Sequence, residues 1–139
     1  MMVFKDFIDS LEENLESYNG EYEDFINYCP KLFNLLCNIF SDKEINHDVR
    51  YKVSLAIAYF VVPDDTIPEN VFGPYGYIDD IYISVCMLKE VVAIEGYEFL
   101  EKYWDYYENV RLVINECIEQ IEKILDQEEK EEILKFVGL

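Results

Sequence analysis

The sequence predicts an all-α fold: a single-domain helical bundle of five or six helices. Apolar residues recur every three or four positions along most of the chain, and no apolar–polar alternation lasts four residues between turn signals, so helices are indicated and strands are not. Hydrophobic residues make up 51% of the 139, enough apolar surface to fill one core and far more than a disordered tail carries.

From Val3 to Tyr18 the positions Val3, Phe4, Phe7, Ile8, Leu11, Leu15 and Tyr18 form one stripe with Glu12, Glu13 and Glu16 between them, and Asn19 and Gly20 stop this first helix. Glu21 to Tyr28 reads as a short helix of its own. Pro30 suits the first turn of a second helix, where its missing N–H costs nothing, and Leu32, Phe33, Leu35, Leu36, Ile39 and Phe40 supply a broad apolar face. Asn46 is the N-cap of a third helix reaching Val62, whose nearly continuous apolar run (Val53, Leu55, Ala56, Ile57, Phe60, Val61) predicts the centre of the core.

Pro63, Pro68, Gly73, Pro74 and Gly76 then mark an ordered Pro/Gly/Asp-rich loop between helices three and four. A fourth helix runs from Ile78 to Glu95, with Ile81, Val85, Leu88, Val91 and Val92 on one stripe and Gly96 as its stop. Beyond it, Tyr103, Tyr107, Val110, Ile114, Cys117, Ile121 and Ile124 step by four and three, which predicts one long helix from Tyr97 to Leu125 with a heptad seam for an interface. Glu128 to Leu139 reads as a terminal helix with Ile133, Leu134, Phe136 and Val137 inward.

Thirty acidic residues against eleven basic ones leave a net charge of -19, which repels phosphate backbones and anionic headgroups and excludes direct nucleic-acid binding as an expectation. The charge is uneven: residues 1–28 carry eight acids and one base, and residues 95–139 carry thirteen acids and five bases. The longest uncharged apolar run, Val53 to Pro63, has eleven residues where a membrane-spanning helix needs roughly 20, so no membrane span is expected. The N-terminus lacks the apolar run of a secretory signal. Cys29, Cys37, Cys86 and Cys117 contain no CxxC pair and fall beside aliphatic residues, as free thiols of a cytoplasmic protein do.

The segment from Tyr59 to Asp80, YFVVPDDTIPENVFGPYGYIDD, carries the pattern P-x-D-x-x-P-[DE], a short Gly-containing spacer and G-x-x-D-D, filled by Pro63, Asp65, Pro68, Glu69, Gly76, Asp79 and Asp80. This resembles the YkvA-like family, a helical domain of unknown function, and with the helices upstream the resemblance covers residues 30–95. It implies a compact helical module whose loop is held by acids and prolines, and it supplies no reaction. Residues 1–29 and 96–139 are then acidic helical flanks within one domain, 1–139.

Two readings of the loop acids stand side by side. Asp65, Glu69, Asp79 and Asp80 could converge on a divalent cation, or pair as acid and base, for metal-assisted hydrolysis. Against this, Asp79 and Asp80 in the first turn of helix four as caps, with Asp65 and Glu69 tying the loop to backbone donors, account for each acid without any cation. His47 is the lone histidine, at the start of helix three, and neither GxxxxGK[ST] nor GxGxxG occurs, so no catalytic residue and no bound cofactor other than such a cation is expected. Tyr103, Trp104, Tyr106 and Tyr107 nearly circle a helix, so some must reach the surface, and with Ile114 on the seam they are the expected interface. The leading functional expectation is a non-enzymatic interaction or regulatory protein, holding a protein partner or a second copy of itself through acidic, Tyr-rich surfaces. A basic partner such as a nucleic-acid-binding protein would suit those surfaces; the metal-assisted hydrolase is the alternative.

Overall fold

Each apolar stripe in this chain folds as a helix where it finds another stripe to cover it. The computed structural model describes residues 5–18, 22–61, 77–136 and 138, and among these the chain forms seven α-helices, one 3-10 helix and no strand. They are α1 (Lys5–Glu16), a 3-10 helix (Asp24–Tyr28) leading directly into α2 (Cys29–Ser41), α3 (His47–Val61), α4 (Ile78–Glu95), α5 (Tyr97–Glu101), α6 (Val110–Ile124) and α7 (Gln127–Phe136). The predicted all-helical class holds, with seven helices in place of five or six. The predicted loop from Pro63 to Gly76 lies outside the described residues.

Local chemistry sets most of the boundaries. Pro30 occupies the first turn of α2 as expected. The Asn46 side chain accepts a hydrogen bond from the Asp48 N–H at 2.7 Å, the capping contact its position predicts. Gly96, at φ 86°, ends α4 in a conformation that costs other residues a steric penalty. Asp126 and Glu129 close α7 reciprocally, each backbone N–H donating to the other's carboxylate at 2.9 and 2.8 Å.

The centre of the core is α4 and not α3. Ten residues of α4 are buried, against six of α3, because α4 is packed by α2, α3, α5, α6 and α7, whereas α3 packs chiefly on α2 and α4. The apolar run of α3 therefore exceeds what its neighbours cover, and Tyr51 and Val61 face solvent.

The long helix predicted from Tyr97 to Leu125 is broken. Residues 102–109 are irregular, and α6 begins only where Asn109 accepts from the Arg111 and Leu112 N–H groups at 3.0 and 3.2 Å. The reason lies in the intervening segment: Asn34 and Asn38 of α2 both donate to the Asp105 carboxylate, at 2.9 and 2.8 Å, and Asn38 donates again to the Tyr103 carbonyl at 3.0 Å. Those bonds hold the chain against α2 in a path that a continuous helix could not follow. Val110, Ile114, Cys117 and Ile121 are all buried, so this part of the heptad spacing serves the monomer's own core. Each such aliphatic side chain contributes about 1.5–3 kcal/mol by leaving water.

Candidate functional site

The loop acids and the aromatic segment occupy different parts of the molecule. Asp79 and Asp80 sit in the first turn of α4, where they were expected, and both are buried, at 0% and 1% exposure. The Tyr59 hydroxyl of α3 donates to one Asp79 oxygen at 2.8 Å, and the Asp80 N–H donates to the other at 3.0 Å. Asp79 thus accepts a backbone N–H of the helix start and fixes α3 to α4 through Tyr59, although neither acid is the N-cap residue, which is Tyr77. Asp65 and Glu69 lie outside the described residues. Among the described residues no group of three or more His, Cys, Asp or Glu side chains could hold a metal ion. His47 is exposed at the first position of α3.

The aromatic residues lie around the irregular segment between α5 and α6, and Lys31 of α2 is at their middle. Its ammonium stands 5.9 Å from the ring centroid of Tyr28, 5.1 Å from Tyr106 and 5.8 Å from Tyr107, within the range of cation–π attraction. The same ammonium is paired with the Glu108 carboxylate at 2.5 Å. Desolvation pushes the Glu108 carboxyl up, but the hydrogen bond and charge of Lys31 outweigh it and hold the group below its usual range. Trp104 packs edge-on to Tyr106 at 5.1 Å, and its indole N–H donates to the Glu108 carbonyl at 2.7 Å. Tyr103 donates to the Asp42 carboxylate, which, with the Glu44 N–H, lowers the Asp42 carboxyl below its ordinary value.

These contacts separate the five expected interface residues. Tyr103, Trp104 and Tyr106 are half-buried and held by partners within the chain, Tyr107 is 95% exposed, and Ile114 is fully buried in the core. Carboxylates surround the cluster: burial pushes the Tyr106 hydroxyl up to about 12, with Glu12, Asp105 and Glu108 acting in the same direction, and burial with Glu116 and Glu108 raises that of Tyr28. Lys31, Asn34, Asn38 and Glu108 were missed in the sequence, since each reads there as an ordinary polar position on a helix surface. The Asn109 N-cap before the apolar run of α6 was the signal that could have revealed the break.

The model of a protein family of unknown function, DUF1232, matches residues 49–85, which run from α3 into α4. Over 128 residues the chain is 34% identical to "Uncharacterized protein ORF9" of Methanothermobacter thermautotrophicus, covering 92% of this chain and 87% of that protein. The chain belongs to the family of ORF9. No solved structure matches it. The span matched by the DUF1232 model contains Tyr59, Asp79 and Asp80, while the aromatic segment and the whole of α6 lie beyond it. No described helix is long and apolar enough to cross a membrane.

Proposed function

We propose that this protein is a non-enzymatic interaction protein whose segment 102–109 presents Tyr107, on an acidic surface, to a basic protein partner. The observation that carries this reading is Tyr107 itself: a large aromatic ring at 95% exposure, on a segment fixed from beneath by Lys31, Asn34 and Asn38. Tyrosine on a rigid support contributes binding area at small entropic cost, which is why it recurs among interface hot spots. Exposed Glu12 and Asp105 near Tyr106, and Glu116 near Tyr28, favour Lys and Arg on the partner and oppose a second copy of a chain carrying -19. The same charge opposes binding to duplex DNA or RNA.

Residues 30–95 are read as a YkvA-like centre, supported by the family match over residues 49–85, with acidic flanks in one domain. A reducing cytoplasm suits the four cysteines, all of them free thiols. The test of the interaction reading is capture of partners from native lysate at about 0.15 M salt, with identification by mass spectrometry. A Lys/Arg-rich protein retained by the wild type and lost with Tyr107→Ala supports it; identical captures by the two chains count against it.

A second reading, metal-assisted hydrolysis, is favoured by one observation, two adjacent carboxylates buried in the first turn of α4. Asp65 and Glu69 would complete its ligand set. A rise in melting temperature with Mg²⁺, Mn²⁺ or Ca²⁺, abolished by Asp80→Asn, would support it.

A further inference from the structure

Between α4 and α6 lies a groove with a volume of about 290 Å³, on a different part of the chain from the Tyr107 surface. One wall is a single face of α4, Tyr82, Val85, Cys86 and Lys89, spaced at i, i+3, i+4 and i+7; the other is Ile118, Ile121 and Glu122 of α6. Burial divides these residues by depth. Val85 and Ile121 are buried and form the floor, Tyr82, Cys86 and Ile118 are half-buried, and Lys89 and Glu122 stand exposed at the rim.

The two rim charges are not equivalent. Glu122 is held by Lys130 of α7 at 2.6 Å, so its charge is already compensated. Lys89 has no ion pair among the described residues. Inside the groove, burial raises the Tyr82 hydroxyl above its usual range, and Cys86, hydrogen-bonded with it, acts in the same direction. An apolar floor with an uncompensated ammonium at its rim is the arrangement of a small-molecule site.

We infer that the α4–α6 groove binds a small amphipathic carboxylate, its apolar body on Val85, Ile118 and Ile121 and its carboxylate toward Lys89. A volume of about 290 Å³ lies at the lower end for ligand pockets and matches a short-to-medium-chain fatty acid better than a long-chain one. A ligand this small reaches an affinity of only about 0.1–1 mM. The inference is independent of the protein-partner reading, because no residue of the groove belongs to the aromatic segment.

The test uses the full chain with octanoate, octanol and palmitate as probes, and two readouts. Titration calorimetry gives affinity, and the modification rate of Cys86 by a thiol reagent reports occupancy, since Cys86 is half-buried while the other three cysteines are buried. Octanoate is expected to bind about two- to fivefold more tightly than octanol, the preference that one exposed ion pair confers, and to slow Cys86 modification. Lys89→Met should abolish that preference without changing the melting temperature, and Ile118→Trp should fill the groove and abolish binding of both probes. If Ile118→Trp fails to fold, Lys89→Met alone decides. The inference is overturned if octanoate does not bind by about 5 mM, if octanol or palmitate binds as tightly, or if Lys89→Met keeps the octanoate preference.

Discussion

Replacing Lys31 with Met should strand a carboxylate that the fold has taken out of water. In the native chain the Lys31 side chain is 26% exposed and that of Glu108 is 16% exposed, and one Glu108 oxygen, Oε1, is buried with no hydrogen-bond partner among the described residues. Breaking a fully buried pair costs about 3–5 kcal/mol and an exposed one about 0–1 kcal/mol, so this half-shielded pair should cost about 2–3 kcal/mol, cation–π losses to the tyrosines included. At about 2.1 cal/mol/K per residue, a chain of 139 residues unfolds with an entropy near 0.3 kcal/mol/K, and the melting temperature should fall by about 7–10 °C at pH 7.

The loss must also depend on pH in one direction. Lys31 depresses the Glu108 carboxyl below its ordinary 4.5, so the stabilisation is present above that value and disappears as pH falls through the lower folded value. In Lys31→Met desolvation, the larger of the two influences that remain, raises the carboxyl against a backbone hydrogen bond, so the variant regains stability as Glu108 protonates. Calorimetric melts should therefore show the difference between the two chains shrinking from pH 7 toward pH 3.5, and Glu108→Gln in the variant should recover part of it at pH 7. A difference that stays constant with pH, or is under about 2 °C at pH 7, would refute the electrostatic account of this pair.

Ile114→Ala should cost about 2–5 kcal/mol, as fully buried aliphatic truncations do, whereas Tyr107→Ala should change stability by less than about 0.5 kcal/mol; denaturant melts compare them. Tyr103→Phe removes the first cause of the lowered Asp42 carboxyl, so its NMR-detected titration should move upward toward the ordinary value of 3.8. Burial holds the Cys37 and Cys117 thiols up at about 12, so at pH 8 native-state alkylation followed by mass spectrometry should mark Cys86 first and leave these two unmodified until the chain unfolds.

Sequence signals located the starts of α2 and α3 and the end of α4 to within a residue or two because Pro30, Asn46 and Gly96 act on the backbone next to them. It failed between Tyr97 and Leu125 because the 4–3 spacing continues through a segment whose path is decided from a distance. Asp105 is bonded to Asn34 and Asn38, about seventy positions earlier, and such a contact leaves no trace in a local pattern. For the same reason Ile114 was read as an interface residue when the surrounding helices cover it completely. The acids at Asp79 and Asp80 were placed correctly at a helix start, but their burial was not legible, because it depends on Tyr59 and α3 closing over them.

Trp104 is the protein's single tryptophan and stacks edge-on to Tyr106 beside the exposed Tyr107, so its emission reports on the proposed surface. The most direct measurement is a titration of that emission with a Lys/Arg-rich peptide and with an acidic peptide of equal length, at about 0.15 M salt, for the wild type and for Tyr107→Ala. The account predicts a saturable change with the basic peptide alone and an affinity at least about fivefold weaker in the variant, the loss of about 1 kcal/mol or more that marks an interface hot spot. Equal titration curves for the two chains would contradict it, because binding would then follow net charge and not the surface built around Tyr107.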